Sequence, residues 1–219
     1  MPTRDAFDRE LGALRDGFVR LGNLVEDAVR RGIDAFHTHD PSLADTVIEA
    51  DNVIDALHLE LEQRCMGLMA TQQPMAKDLR TIAAVWAMTI DLERIGDHAE
   101  DIARKVHRIS PEPLLYPLVD IPGMADIVRK MLRQGLDAFV ASDVGLAERT
   151  AAADHDVDHL YSGMFRTLNT YVIENPRTFE RATHLLMAAQ AVERMGDYAT
   201  NIAERVVYMV TGTLKVLNV

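Results

Sequence analysis

Glu93-Arg-Ile-Gly-Asp97 and Glu193-Arg-Met-Gly-Asp197 are nearly one pentapeptide written twice, 100 residues apart. The apolar residues around the two copies agree as well. Val85, Met88, Leu92, Ile95, Ala99, Ile102 and Val106 recur at spacings of three and four, and Val192, Met195, Ala199, Ile202 and Val206 repeat the later part of that stripe in register. Such spacing marks one face of a helix. Further upstream, Gly32-Ile-Asp-Ala-Phe36 matches Gly135-Leu-Asp-Ala-Phe139, and Asp51 and Asp55 match Asp154 and Asp158, all at an offset of 103. Matching seams in matching order mean duplication, with three extra residues in the second interhelical loop of the first copy.

Each copy reads as three helices. In the first, Phe7, Leu11, Leu14, Phe18, Leu21, Val25, Ala28 and Gly32 form a single stripe that should end near His39. Asp40-Pro41 then supplies an N-cap and a proline for the first helical turn. A second helix to about Met69 turns Ile54, Leu57, Leu61 and Leu68 inward, Thr71-Gln-Gln-Pro74 breaks it, and a third runs over about 77–108. Pro111, Pro113, Pro117 and Pro122 predict a helix-free connector. The expected fold is all-α: two tandem three-helix bundles, six helices in all, over residues 1–109 and 124–219 with a Pro-rich connector at 110–123.

Composition agrees and narrows the function. Of 219 residues 48% are hydrophobic, enough for a real core, yet only 5% are aromatic while Met numbers 11, a bias toward helix packing. The formal net charge of −11 argues against nucleic acid and favours cations or basic protein surfaces. A single cysteine, Cys65, allows no intrachain disulfide and reads as a buried small hydrophobe. The start lacks the apolar core of a signal peptide, and the longest apolar stretch, Ile82–Ile90, is about half of what spans a bilayer. The expected location is cytoplasmic. No phosphate loop, nucleophile elbow or dinucleotide glycine pattern occurs.

Chemistry concentrates in rows of carboxylates. Glu93, Asp97 and Asp101 lie four apart on one helix face, as do Asp51 and Asp55 on the preceding helix; their counterparts are Glu193, Asp197 and Asn201, with Asp154 and Asp158. Like charges at this spacing repel by about 0.2–0.5 kcal/mol per pair. One reading offsets that with local counter-charges, Arg94 near Asp97, Lys105 near Asp101 and Arg194 near Asp197, on a solvated face. The other brings carboxylates of adjacent helices together as hard oxygen ligands for a cation. Recurrence in both copies, while the flanking pairs Arg104/Glu204 and His98/Tyr198 diverge, favours the metal reading. Because the rows flank the seam, the site should be superficial. Asn201 in place of an acid predicts weaker binding in the second half. Gly96 and Gly196 cost about 1 kcal/mol each in mid-helix, so they serve either close helix approach or ligand clearance. Asp55-x-x-His58 approximates a di-iron pattern, but its counterpart at 161 is Tyr, and His155-Asp-Val-Asp-His159 occurs once and reads as solvent-facing.

Four stretches, taken in order, resemble the PhoU family of phosphate-uptake regulators along nearly the whole chain: Leu21-Gly-Asn-Leu-Val-Glu26, Gln73-Pro-Met-Ala-Lys-Asp-Leu-Arg80, Leu92-Glu-Arg-Ile-Gly-Asp97 and Glu193-Arg-Met-Gly-Asp-Tyr-Ala-Thr-Asn-Ile202. The resemblance implies two three-helix bundles, a homodimer, and acidic motifs that hold metal ions: Asp51, Asp55, Glu93, Asp97 and Asp101 in one half, Asp154, Asp158, Glu193, Asp197 and Asn201 in the other. It leaves the metal open among iron, zinc, nickel, manganese and magnesium. It implies a non-catalytic negative regulator of phosphate uptake and of the phosphate-starvation response. Such a regulator links the ATPase subunit of a phosphate ABC transporter to a phosphate-sensing histidine kinase, meeting the membrane only through partners. The rival classes are a di-metal carboxylate enzyme, which needs an open coordination position in a buried pocket, and a metal-buffering protein.

Overall fold

The computed structural model describes residues 4–108 and 120–217. Its helices are α1 (Arg4–Thr38), α2 (Pro41–Gln72), α3 (Lys77–Val106), α4 (Ile121–Ala141), α5 (Val144–Ala152), α6 (Asp154–Glu174) and α7 (Phe179–Thr211), with a 3-10 turn at Pro176–Thr178. No strand occurs among the described residues. The six-helix plan is present, and α5 with α6 fills the place that α2 holds in the first repeat. They are divided only at Ala153, which keeps a helical backbone (φ −70°, ψ −16°). There the bonds tighten to i→i+3 spacing, Ala153 N–H to the Thr150 carbonyl and Asp156 N–H to the Ala153 carbonyl.

Local chemistry sets the helix ends. Asp40 accepts from the Ser42 and Leu43 amides at 2.9 and 3.1 Å, with Pro41 opening α2. Asp120 caps α4 in the same way through the Gly123 amide, at 2.9 Å. This corrects the expected connector at its end: Pro122 lies in the first turn of α4, where its missing N–H costs nothing. Pro111, Pro113 and Pro117 lie outside the described residues.

The expected third-helix seam is buried throughout, from Val85 to Val106 and from Val192 to Val206, and Cys65 is fully buried. Leu11 and Leu57, expected inside, are half-buried at the margin. At roughly 1.5–3 kcal/mol per buried large apolar side chain, these seams contribute strongly to the favourable free energy of folding.

Contacts between repeats define how they are joined. On one side, α1 meets α4 in antiparallel sense: the Phe18 and Phe139 rings lie 4.7 Å apart edge-on, and Glu26 accepts from Arg129 and Arg133. On the other, α3 meets α7, also antiparallel, with His98 against Tyr198 (ring centroids 5.9 Å) and Asp91 against Asn201. His98 and Tyr198, a pair that flanks the acid rows and differs between the repeats, are therefore half-buried at the junction of the halves. The repeats are thus related by an approximate two-fold axis running between α1 and α4 and between α3 and α7. Such an axis carries α2, packed on α3, onto α6, packed on α7.

Candidate functional site

The two acid-bearing faces on α2 and α3 meet. Asp51, Asp55 and Asp97 each bring a carboxylate oxygen to within 4.8 Å of the other two, with Asp55 exposed and Asp51 the most enclosed. A two-helix origin explains this convergence: residues four apart form a row on each helix, and α2 packs on α3 so that the rows confront each other. Glu93 stands at the margin. It feels the charges of Asp97 and Asp55 and the opposing pull of Arg94 and His58. Arg94 contacts Asp97 at 3.2 Å and Glu93 at 3.6 Å, the counter-charge that the spacing predicts. Lys105 does not serve Asp101 in that way, because its ammonium donates to the Asp101 main-chain carbonyl at 3.2 Å. Asp101 itself is exposed and lies outside the tight group of three.

Crowding shows in the protonation equilibria. Burial, then the charges of Asp55, Glu100, Asp97 and Glu93, push the Asp51 carboxyl up to about 7. Glu93 and Asp97 are raised as well, again first by burial and then mainly by neighbouring carboxylates. A bound cation would reverse the sign of these interactions, since it favours the charged form.

The second half repeats the residues but not the tight convergence: among the described residues only Asp51, Asp55 and Asp97 bring three ligand oxygens within 4.8 Å of one another. Burial raises Asp154 to about 6, followed by the charges of Asp158 and Asp197, and raises Glu193 and Asp197 in the same direction. Here Asp154 is fully buried at the start of α6, whereas Asp197 is exposed and Asp158 half-buried. The expectation of a wholly superficial site therefore fails at Asp154, which the packing of α6 on α7 carries inside. Asn201 departs too: its amide donates to Asp91 at 3.2 Å, across the junction between repeats. Asp91, whose counterpart in the second repeat is Ala191, is a half-buried carboxylate that burial raises to about 6, and it draws Asn201 into structural duty.

One feature lay outside the sequence reading. Glu100 acts on Asp51 and Asp97 while pairing with Arg104, and its counterpart is Thr200, placed beside Asp154. A search at four-residue spacing passes over it; three residues from Asp97 and seven from Glu93, it lies on the same helix face. Gly96 and Gly196, assigned from sequence to close helix approach or to clearance, sit where the helices meet. A Cβ on Gly196 would stand 2.6 Å from Asp154 Oδ1, and one on Gly96 would stand 3.2 Å from Ile54 and 3.5 Å from Asp51 Oδ1. Close helix approach and room for a carboxylate are one requirement here, because the approaching helix presents the acid.

Comparison with known proteins gives a uniform result. The PhoU domain family matches the chain twice, over residues 18–106 and 121–206. A phosphate-specific transport system accessory protein PhoU homolog of Zymomonas mobilis is 37% identical over 96% of this chain and 89% of its own length. The protein of the same description from Aquifex aeolicus is 37% identical over 94% of this chain and 93% of its own. The crystal structure of PhoU from Pseudomonas aeruginosa superposes with a TM-score of 0.87 at 36% identity, covering 94% of this chain and all (100%) of that one. The phosphate transport system regulatory protein PhoU from Streptococcus pneumoniae gives 0.88 at 29% identity, covering 95% and 99%.

Proposed function

The chain belongs to the PhoU family, and from that premise we propose that it is a non-catalytic accessory regulator of phosphate uptake, a negative one. In this reading it acts as an adaptor between the ATPase subunit of a phosphate ABC transporter and a sensor histidine kinase, and it restrains the phosphate-starvation response. Two relatives of known structure are described as PhoU and as a phosphate transport system regulatory protein, and curated relatives are described as transport accessory proteins. Among the described residues no helix is long and apolar enough to cross a membrane, so contact with the transporter would run through a helical face.

The observation that supports the reading is the convergence of Asp51, Asp55 and Asp97 from α2 and α3. With Glu93 and Glu100 at the margin they would offer hard oxygen ligands for a divalent or trivalent cation; Asp154, Asp158, Asp197 and Glu193, less tightly gathered, would be the second set. Loading either set would change the sign of the local field and with it the partner this face prefers. The adaptor role is tested by capture of the transporter ATPase and the kinase on the purified chain, alongside phosphate-responsive expression in a deletion strain. Capture of neither, with unchanged expression, would refute it. Metal content by elemental analysis, wild type against the Asp97→Ala, Asp197→Ala pair, tests the clusters separately, and equal content would refute those.

A further inference from the structure

Gln73-Pro-Met-Ala-Lys-Asp-Leu-Arg80 takes no part in either carboxylate cluster, yet it borders a cavity of its own. The cavity, about 170 Å³, lies where the repeats meet at the start of α3 and the end of α7. Arg15, Lys77, Thr81, Ser142, Met209 and Val210 line it. In a chain of net charge −11 this lining holds two cations and no carboxylate. A third cation stands next to it. Arg80 lies against Gly212 at the cap of α7, its guanidinium atoms 3.6 Å from where a Cβ there would sit, and its Nε is buried without a hydrogen-bond partner among the described residues.

These cations are not neutralised by their surroundings. None of Arg15, Lys77 and Arg80 forms an ion pair among the described residues, and Asp78, the acid within the motif, is held by Arg4 at 3.1 Å. Arg15 uses Nη2 on the Phe139 and Val140 carbonyls, both at 3.4 Å, and its other N–H groups are not taken up by those bonds. The Ser142 hydroxyl adds a further polar group, whereas the Thr81 hydroxyl donates its proton to the Lys77 carbonyl at 3.1 Å. Asp16, Asp78 and Asp143 directly follow lining residues, but none of them lines the cavity; Asp78 is engaged by Arg4, and Asp143 accepts from the Leu146 amide at 2.9 Å.

We infer that this cavity is a binding site for a small tetrahedral oxyanion, a phosphate group held by Arg15, Lys77 and the Ser142 hydroxyl. The site is separate from the carboxylate clusters and does not depend on the adaptor reading. Its donors come from both repeats, Arg15 and Lys77 from the first and Ser142 from the second. An anion seated there would tie the repeats together, which would couple phosphate to the packing of α3 on α7. Two sources share this chemistry: free orthophosphate and the terminal phosphate of a nucleotide.

Isothermal titration of the full chain, treated with chelator so that bound metal cannot recruit the anion, tests the site at constant ionic strength set with chloride. Orthophosphate should bind saturably at one site per chain. Arg15→Gln and Lys77→Gln should each weaken binding about tenfold or more, the loss expected for a charge-assisted hydrogen bond, with unchanged circular dichroism. If ATP binds more tightly than orthophosphate and the same substitutions weaken it, the cavity is a nucleotide-phosphate site and the oxyanion assignment stands. Heats that vanish against the chloride background, or wild-type affinity in the double variant, overturn it.

Discussion

Asp51 and Asp154 hold equivalent places in the two repeats, but only Asp154 is fully withdrawn from solvent. Depth alone would make Asp154 the harder acid to ionise. Yet Asp51 stands at least as high, pushed up to about 7 against about 6 for Asp154. Burial is the largest cause in both, and the neighbours differ. Four carboxylates press on Asp51, including Glu100, whereas three press on Asp154 and the Thr200 hydroxyl beside it favours the charged form. Position 100/200 thus separates the halves more than position 101/201, where an acid-for-amide exchange is visible in sequence. A second group of exchanges accompanies it. Glu62 accepts from the Trp86 indole at 2.8 Å and faces His58 at 3.8 Å, while the second half has Phe165, Leu186 and Tyr161 at those places.

The comparison breaks most readily at the glycines. Gly196→Ala forces a methyl against a buried carboxylate oxygen and should destabilise by about 1–3 kcal/mol in urea unfolding. Gly96→Ala meets the flexible Ile54 side chain instead, and the gain of up to about 1 kcal/mol in helix propensity should leave it near neutral. Equal losses at the two sites would mean that the clusters are equally tight.

Metal titration sharpens the contrast. With its additional carboxylate, the first cluster should bind a divalent cation about tenfold more tightly than the second, and Thr200→Glu should narrow the gap. Calorimetry on single-cluster variants reads this directly, and tighter binding by the second cluster would count against Glu100 as the deciding residue.

Asn201→Asp restores the acid of the first half but sets it against Asp91. The expected cost is about 1 kcal/mol of stability at neutral pH, with no added metal. Extra metal in that variant would return Asn201 to the cluster.

Dependence on pH follows from the raised carboxyls. A carboxyl with a folded-state pKa above its unfolded value binds more protons in the folded state, so stability is greatest at low pH and falls as pH rises through the folded pKa. For Asp51 the window runs from the ordinary 3.8 to about 7, and for Asp154 from 3.8 to about 6. Relative to wild type without metal, Asp51→Asn should flatten the decline up to about pH 7, and Asp154→Asn should do so only to about pH 6. Unfolding midpoints across pH 4–8 distinguish them. Asp101→Ala, on an exposed residue outside the tight group, should shift stability by less than about 0.5 kcal/mol.

Much of this was legible in the chain. Helical period, the Asp40-Pro41 cap and the repeated pentapeptide determine six helices in two copies, because side-chain periodicity and backbone capping act over a few residues. The same locality put Asp51 with Asp55 and Glu93 with Asp97 on common helix faces. Asp154 was not legible as a buried acid, since burial depends on how closely α6 rides on α7, and that distance is set by the missing Cβ of Gly196 on another helix. Nor could spacing reveal that Asn201 turns away to Asp91 or that His98 meets Tyr198, because both contacts arise only when the repeats pack against each other.

The sequence by itself therefore determined the duplication, the helices and which acids share a row. Only the tertiary structure decided which rows confront each other, how deeply each acid lies and where the repeats leave a cationic cavity. Rows are made by bonds along one helix, whereas confrontation, depth and cavity depend on the approach of helices whose contacting residues can lie 125 apart in the chain.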